Sequence, residues 1–122
     1  VKKLDEFNAA DKINLKLLDS SVHFINGEID EESVIECIKW ITYENLDSKD
    51  KTLTLYINST GGSLYDAFAL IDIMKHSKFP VRTIAMGACM SSAFLIFASG
   101  QKGQRYAAKN TSLMCHQFSE SM

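Results

Sequence analysis

Proline is almost missing: Pro80 is the only one in 122 residues. That excludes a proline-rich linker and leaves long uninterrupted stretches for regular backbone. Cysteine is scarce and odd in number, with Cys37, Cys89 and Cys115 at no metal-ligand spacing. A disulfide framework and a zinc site are therefore not expected, and a reducing, cytoplasmic compartment fits best. Two of the three cysteines fall in apolar surroundings, as small buried hydrophobes do. No excess of one charge is present: 13 Lys and Arg face 15 Asp and Glu, for a net charge of -2. Without a basic footprint, nucleic acid is not an expected partner. The charge-free stretch Thr83 to Gln101 approaches the roughly 20 residues of a membrane span. Gly87, Ser91, Ser92, Ser99 and Gly100 interrupt it, so a buried strand, a turn and a buried helix explain it better than a membrane does. The start, Val1-Lys2-Lys3-Leu4-Asp5-Glu6, lacks the apolar segment of a secretion signal.

What is present reads as one globular domain over residues 1–122, with 46% hydrophobic and 23% charged residues. Roughly the first 15 residues carry no firm element by periodicity. Val22-His23-Phe24-Ile25 reads as a short strand ended by Asn26-Gly27. Asp30 is placed to cap a helix running to about Leu46, with Val34, Ile35, Ile38, Trp40 and Ile41 as its apolar stripe. Thr52-Leu53-Thr54-Leu55-Tyr56-Ile57 is the clearest strand. After Asn58-Ser59-Thr60-Gly61-Gly62, Ser63 caps a second helix whose expected core face is Leu64, Ala67, Phe68, Ile71 and Met74. Pro80 separates that helix from a strand over Val81 to Ala85. A small-residue turn should then lead into an apolar helix from about Met90 to Ala98. Short strands at Arg105-Tyr106-Ala107 and Leu113-Met114-Cys115 complete the pattern. Strand and helix alternate with short connections, which predicts an α/β domain with parallel pairing.

Three pieces suggest acyl-transfer chemistry. Ser91 opens the apolar helix, His116 comes just after a strand, and Gly61-Gly62 just after another. A serine hydroxyl needs a base in hydrogen-bond reach, and a developing oxyanion needs fixed N–H donors. The N–H of Ser92 and that of Gly62 are candidates, since a helix start leaves N–H groups free and glycine permits close backbone approach. Each piece has a plainer explanation. Ser91 fits a helix cap, and the glycine pair fits a tight turn. Among the three histidines, His23 reads as a strand packing residue and His76 as a cation at a helix C-terminus. His116 ends a strand near a turn. Spacing does not choose among them, and none of the acidic residues is marked as the group that would orient the base.

Tyr56-Ile57-Asn58-Ser59-Thr60-Gly61-Gly62-Ser63 resembles the Y-I-N-S-P-G-G motif of ClpP, the proteolytic subunit family of ATP-dependent Clp proteases. Met86 to Phe94 resembles the family's nucleophile segment. Gly100-x-x-Gly103-x-Arg105, Asn110 and Met114-x-His116-Gln117 resemble the family's next segment. Leu17 to Gly27, with Glu28-Ile29, looks like the family's first strand and turn. The resemblance implies the ClpP/crotonase-like spiral of strand–helix units as the fold. It implies Ser91 as nucleophile, His116 as general base, and the backbone N–H groups of Gly62 and Ser92 as oxyanion hole. Gly61, Gly62, Ser63 and Leu64 would form the edge that pairs with an extended substrate. Tyr56, Ile84, Met86 and Tyr106 would dock loops of an ATPase partner, although core packing explains the same residues.

The implied protein is a serine endopeptidase subunit of a heptameric homo-oligomeric ring. It cuts unfolded polypeptide delivered by an AAA+ unfoldase of the Clp type, needing no metal or cofactor, no membrane and no nucleic acid. Three departures stand out. Thr60 replaces the motif's proline, and Ser92-Ala93 replaces the Met-Gly after the nucleophile. The family's acidic triad member and its handle would lie beyond Met122, so the third member is not assigned. The chain is accordingly expected to be part of a longer enzyme or a shortened homologue. A catalytically silent ring subunit is the alternative. An acyl-CoA enzyme using Gly61-Gly62 to hold an enolate is a third reading, disfavoured by the conjunction of Ser91 with His116.

Overall fold

In the computed structural model, residues 3 and 6–115 are described. The elements in chain order are α1 (Ala9–Asp19), β1 (Val22–Asn26), α2 (Glu31–Glu44), β2 (Leu53–Ser59) and α3 (Leu64–His76). Then come β3 (Val81–Met90), α4 (Ser92–Ala98), β4 (Arg105–Ala107) and β5 (Ser112–Met114). All pairings are parallel, in the order β1-β2-β3-β4, and β5 joins β3 farther along the edge that β4 leaves. Parallel strands need a crossover, and the intervening helices provide it.

Local chemistry explains where the helices start. The Asp30 carboxylate accepts from the Ser33 N–H at 2.8 Å, and the Ser33 hydroxyl accepts from the Asp30 N–H at 3.1 Å, a reciprocal box opening α2. Ser63 Oγ accepts from the Asp66 N–H at 3.2 Å and opens α3. Strand alternation then sends Ile25, Leu53, Leu55, Ile57, Val81 and Ala85 to one face. They pack there with Val34, Cys37, Ile41, Ala67, Leu70, Ala93 and Ile96 of the helices. Buried Thr83 keeps its hydroxyl satisfied by donating to the Phe97 carbonyl at 2.8 Å.

The opposite row, Phe24, Tyr56, Ile84 and Tyr106, is in register across four strands. Phe24 and Tyr56 stack there with ring centroids 4.7 Å apart. Among the described residues, no helix is long and apolar enough to cross a membrane.

Several expectations are corrected. The chain around Leu17 to Asp19 is not strand but the end of α1, which Asn8 and Asp11 open with their own capping box. None of that helix's residues is buried. The segment Met86 to Met90 is strand rather than turn, because β3 runs to Met90 and α4 starts only at Ser92. In α3 the core stripe is Ala67, Leu70 and Met74, whereas Phe68 is 47% exposed. In α2, Cys37 is buried and Ile35 faces outward. Both helices are rotated slightly from the expected stripe because the sheet, not the largest side chain, sets the buried face.

Candidate active site

Ser91 is the single residue between β3 and α4. It makes the turn with φ 56 and ψ -127, a conformation that costs a non-glycine residue about 1–3 kcal/mol. The neighbourhood holds it there. Its N–H donates to the Met114 carbonyl at 2.9 Å, and its carbonyl accepts from the N–H groups of Phe94 at 3.0 Å and Leu95 at 3.3 Å. The side chain makes no capping bond. Ser91 thus occupies the N-cap position of α4 through its backbone, while its hydroxyl takes no part in capping. A serine on a strained strand-to-helix turn is how hydrolases present a nucleophile.

The glycine pair meets this turn. The Gly61 N–H donates to Ser59 Oγ at 3.0 Å. A Cβ on Gly61 would lie 2.9 Å from the Ser91 Cβ and 3.0 Å from the Met90 carbonyl oxygen. Only a glycine lets the two segments come this close. Gly62 is tighter still, since a Cβ there would lie 2.2 Å from the Ile29 carbonyl oxygen. Ile29 and Gly62 form an isolated parallel bridge. The Ile29 N–H donates to the Gly61 carbonyl at 2.9 Å, and the Ser63 N–H donates to the Ile29 carbonyl at 2.7 Å. In a parallel pair this leaves the N–H and carbonyl of Gly62 on the opposite, open edge. Of the expected pairing edge, Gly61 to Ser63 are outside any helix and Leu64 is the first residue of α3.

Ser92 opens α4, so its N–H has no acceptor within that helix. Its hydroxyl is buried and has no hydrogen-bond partner among the described residues. Ala93, next to it, is fully buried. Behind the turn, Cys89 Sγ donates to the Ala93 carbonyl at 3.4 Å, and burial pushes this thiol's pKa up to about 11. Burial likewise raises Cys37. Neither is a reactive thiolate at neutral pH. Cys115 is exposed.

A family model for Clp protease matches residues 5–122. The chain belongs to the Clp protease family. A crystal structure of the ClpP protease catalytic domain from Plasmodium falciparum is similar to it, with 28% identity and a TM-score of 0.86 over 98% of this chain and 67% of that one. The fold is that of the ClpP catalytic domain, and the chain is a Clp-protease-like subunit.

Two of the three histidines sit far from the turn. His23 is in register with Leu55, which pairs with Thr83 at the opposite end of β3 from Ser91. Its ring stacks on Trp40 at 5.1 Å. Burial holds its pKa below the ordinary 6.5, with the Glu36 carboxylate pulling the other way. His76 ends α3, whose first residue comes shortly after the glycine pair. At 1.5 Å per residue that helix places it about 20 Å away. His116 lies outside the described residues. The chain leading to it runs alongside the turn, because Met114 pairs with Met90 and accepts the Ser91 N–H.

Of the remaining expected positions, Tyr56, Ile84 and Tyr106 share the open sheet face, and Met86 lies two residues beyond Ile84 on β3. Tyr106 is 51% exposed. Among the described residues, no group of three or more His, Cys, Asp or Glu side chains is gathered to hold a metal ion. Two residues were missed as site-builders. Ile29 holds the glycine strand in place. Asn58, read only as part of a motif, bridges β1 and β3: its Nδ2 donates to Asn26 Oδ1 at 2.8 Å and its Oδ1 accepts from the Ala88 N–H at 3.1 Å. Three hydrogen-bonding residues in a row before a glycine pair were the available signal.

Proposed function

We propose that this chain is a serine endopeptidase subunit in which Ser91 is the nucleophile, His116 the general base, and the N–H groups of Gly62 and Ser92 the oxyanion hole. The observation that carries this reading is the contact of Gly61 with the strained turn of Ser91, where a Cβ would lie 3.4 Å from the Ser91 Oγ. It brings a hydroxyl with no capping bond to the backbone edge where the Gly62 N–H faces away from Ile29.

The chemistry grows from these parts. An extended polypeptide pairs along the open edge at Gly61 to Ser63, as an added strand does. Ser91 Oγ attacks the scissile carbonyl carbon as His116 takes the hydroxyl proton. The carbonyl oxygen becomes an anion held by two backbone donors that need no reorganisation. The tetrahedral adduct collapses, the peptide C–N bond breaks, and the leaving amine takes the proton from His116. Water then attacks the acyl ester by the same route, giving a carboxylate product and the free serine.

Proteolysis of unfolded chains inside a ring, fed by an ATP-driven unfoldase, is the setting we propose for this site. The open apolar row of Tyr56, Ile84 and Tyr106, together with Met86, is the surface proposed for the unfoldase. A fluorophosphonate probe should label Ser91 in the assembled protein, and Ser91→Ala and His116→Ala should both abolish labelling. Labelling that persists in Ser91→Ala, or never occurs in the assembled protein, would sink the assignment. The second outcome would favour the silent ring subunit.

A further inference from the structure

β2 and β3 pair evenly from Leu53–Val81 to Ile57–Ala85, and the next paired rung is Ser59–Cys89. Between these rungs, β2 contributes only Asn58, while β3 contributes Met86, Gly87 and Ala88. Such a bulge leaves ladder groups without partners on β2 and bends the strand locally. Here the Asn58 side chain fills the gap. Its Oδ1 accepts from the Ala88 N–H at 3.1 Å, and its Nδ2 is anchored on Asn26 Oδ1 at 2.8 Å. The amide orientation is fixed by the Ala88 N–H, a donor that can meet only the oxygen. Gly87 makes room for it: φ is +67, and a Cβ there would lie 2.5 Å from Asn58 Oδ1.

Both arms of the candidate site leave the sheet from the rung just beyond this plug. Ser59 precedes Gly61 by two residues, and Cys89 precedes Ser91 by two. Ser59 Oγ also holds the Gly61 N–H. A slip of β3 at the bulge would therefore move Ser91 relative to the glycine strand while leaving the packed half of the sheet intact.

We infer that Asn58 is a positioning residue for the Ser91 site: its amide locks the β3 bulge and so sets where the Ser91 hydroxyl stands against the Gly61–Gly62 backbone. The inference rests on the reading of Ser91 as nucleophile. Displacement by about 1 Å can slow a positioned reaction roughly 100-fold, so a small slip is enough to be read.

The test uses the full-length protein and tracks the second-order rate of Ser91 modification by a fluorophosphonate, the final labelling stoichiometry by intact mass, and the melting temperature. Asn58→Ala is expected to reach wild-type stoichiometry at a rate lower by about 10- to 100-fold. Gly87→Ala, which expels the amide from the other side, should slow the reaction alike. Asn58→Asp keeps the acceptor for Ala88, and the Asn26 amide can flip to donate to it, so most of the rate should return. A purely structural role would lower the melting temperature and leave the rate per folded site unchanged, and that result overturns the inference. So does an Asn58→Asp rate as low as that of Asn58→Ala. Should the alanine variants not fold, exchange of the Ala88 amide in the wild type decides, with strong protection expected and rapid exchange overturning. No labelling of the wild type sinks the nucleophile and this inference together. Labelling that Asn58→Ala does not slow sinks only the inference.

Discussion

The two halves of β3 do different work. From Val81 to Ala85 the strand runs in an even ladder with β2, and its alternate residues Val81, Thr83 and Ala85 are buried against the helices. From Met86 to Ser91 the ladder is broken by a bulge, glycine takes a left-handed φ, and a serine carries a strained turn. The first half is specified mainly by burial on alternate positions, with a single close approach where a Cβ on Gly100 would lie 2.3 Å from Thr83 Oγ1. The second is specified by close approach, with Gly61, Gly62 and Gly87 at positions where a Cβ would lie within 3 Å of a neighbouring atom. In open α/β sheets ligand crevices lie outside the carboxyl ends of the strands, which is the end of β3 where this irregular half sits. The regular half makes a rigid platform, and the irregular half uses it to hold backbone that would not stay put alone.

The largest effect that would break this contrast is at the turn itself. Ser91→Ala should reduce peptide hydrolysis by about 10⁴-fold or more, with circular dichroism unchanged. Residual turnover close to wild type would mean that the irregular half is not the site.

Gly62→Ala comes next. Its Cβ would press on backbone, the Ile29 carbonyl, rather than on a flexible side chain. Loss of an oxyanion donor costs about 10²–10³-fold in kcat, and hydrolysis of a short fluorogenic peptide should fall by that much.

Leu55→Ala, on β2 in register with Thr83 of the regular half, should show the reverse profile. Leu55 is fully buried, so a loss of about 2–5 kcal/mol in urea unfolding is expected. The probe-labelling rate per folded molecule should stay within about twofold, because the deletion lies away from the turn. A large drop in that rate would show that the two halves are not separable.

The smallest effect concerns His23. Its pKa is lowered on folding, so the folded state binds this proton less well than the unfolded chain does. That contribution to stability is complete above the ordinary 6.5 and is lost as pH falls through the lower folded value. The melting temperature should therefore decline on acidification below neutrality, and His23→Leu should flatten the decline. Emission of Trp40, the only tryptophan, reports the same step directly because the rings stack.

Caps and alternating strands were legible because their causes act within a few residues. Asp30 and Ser63 cap helices as their positions suggested, and β2 lies where its alternation placed it. The small residues from Met86 to Met90 were misread as a turn, since a bulged strand with glycine has the composition of one. Helix α1 was missed although its signals, an amphipathic pattern and the Asn8–Asp11 capping box, were both local and present in the sequence. The glycine pair and Ser91 were each ambiguous alone, and only resemblance joined them; the structure then brought Gly61 into contact with Ser91.

By itself, the sequence determined an α/β domain, the approximate extent of β2, α2 and α3, and the short list holding Ser91, Gly61 and Gly62. Tertiary structure alone decided which faces α2 and α3 bury, the backbone angles of Ser91, and the Asn58 bridge across the bulge. The physical reason is range. Capping and alternation depend on neighbours a few positions away, whereas register between β2 and β3 depends on residues about thirty positions apart meeting under the packing of the whole sheet.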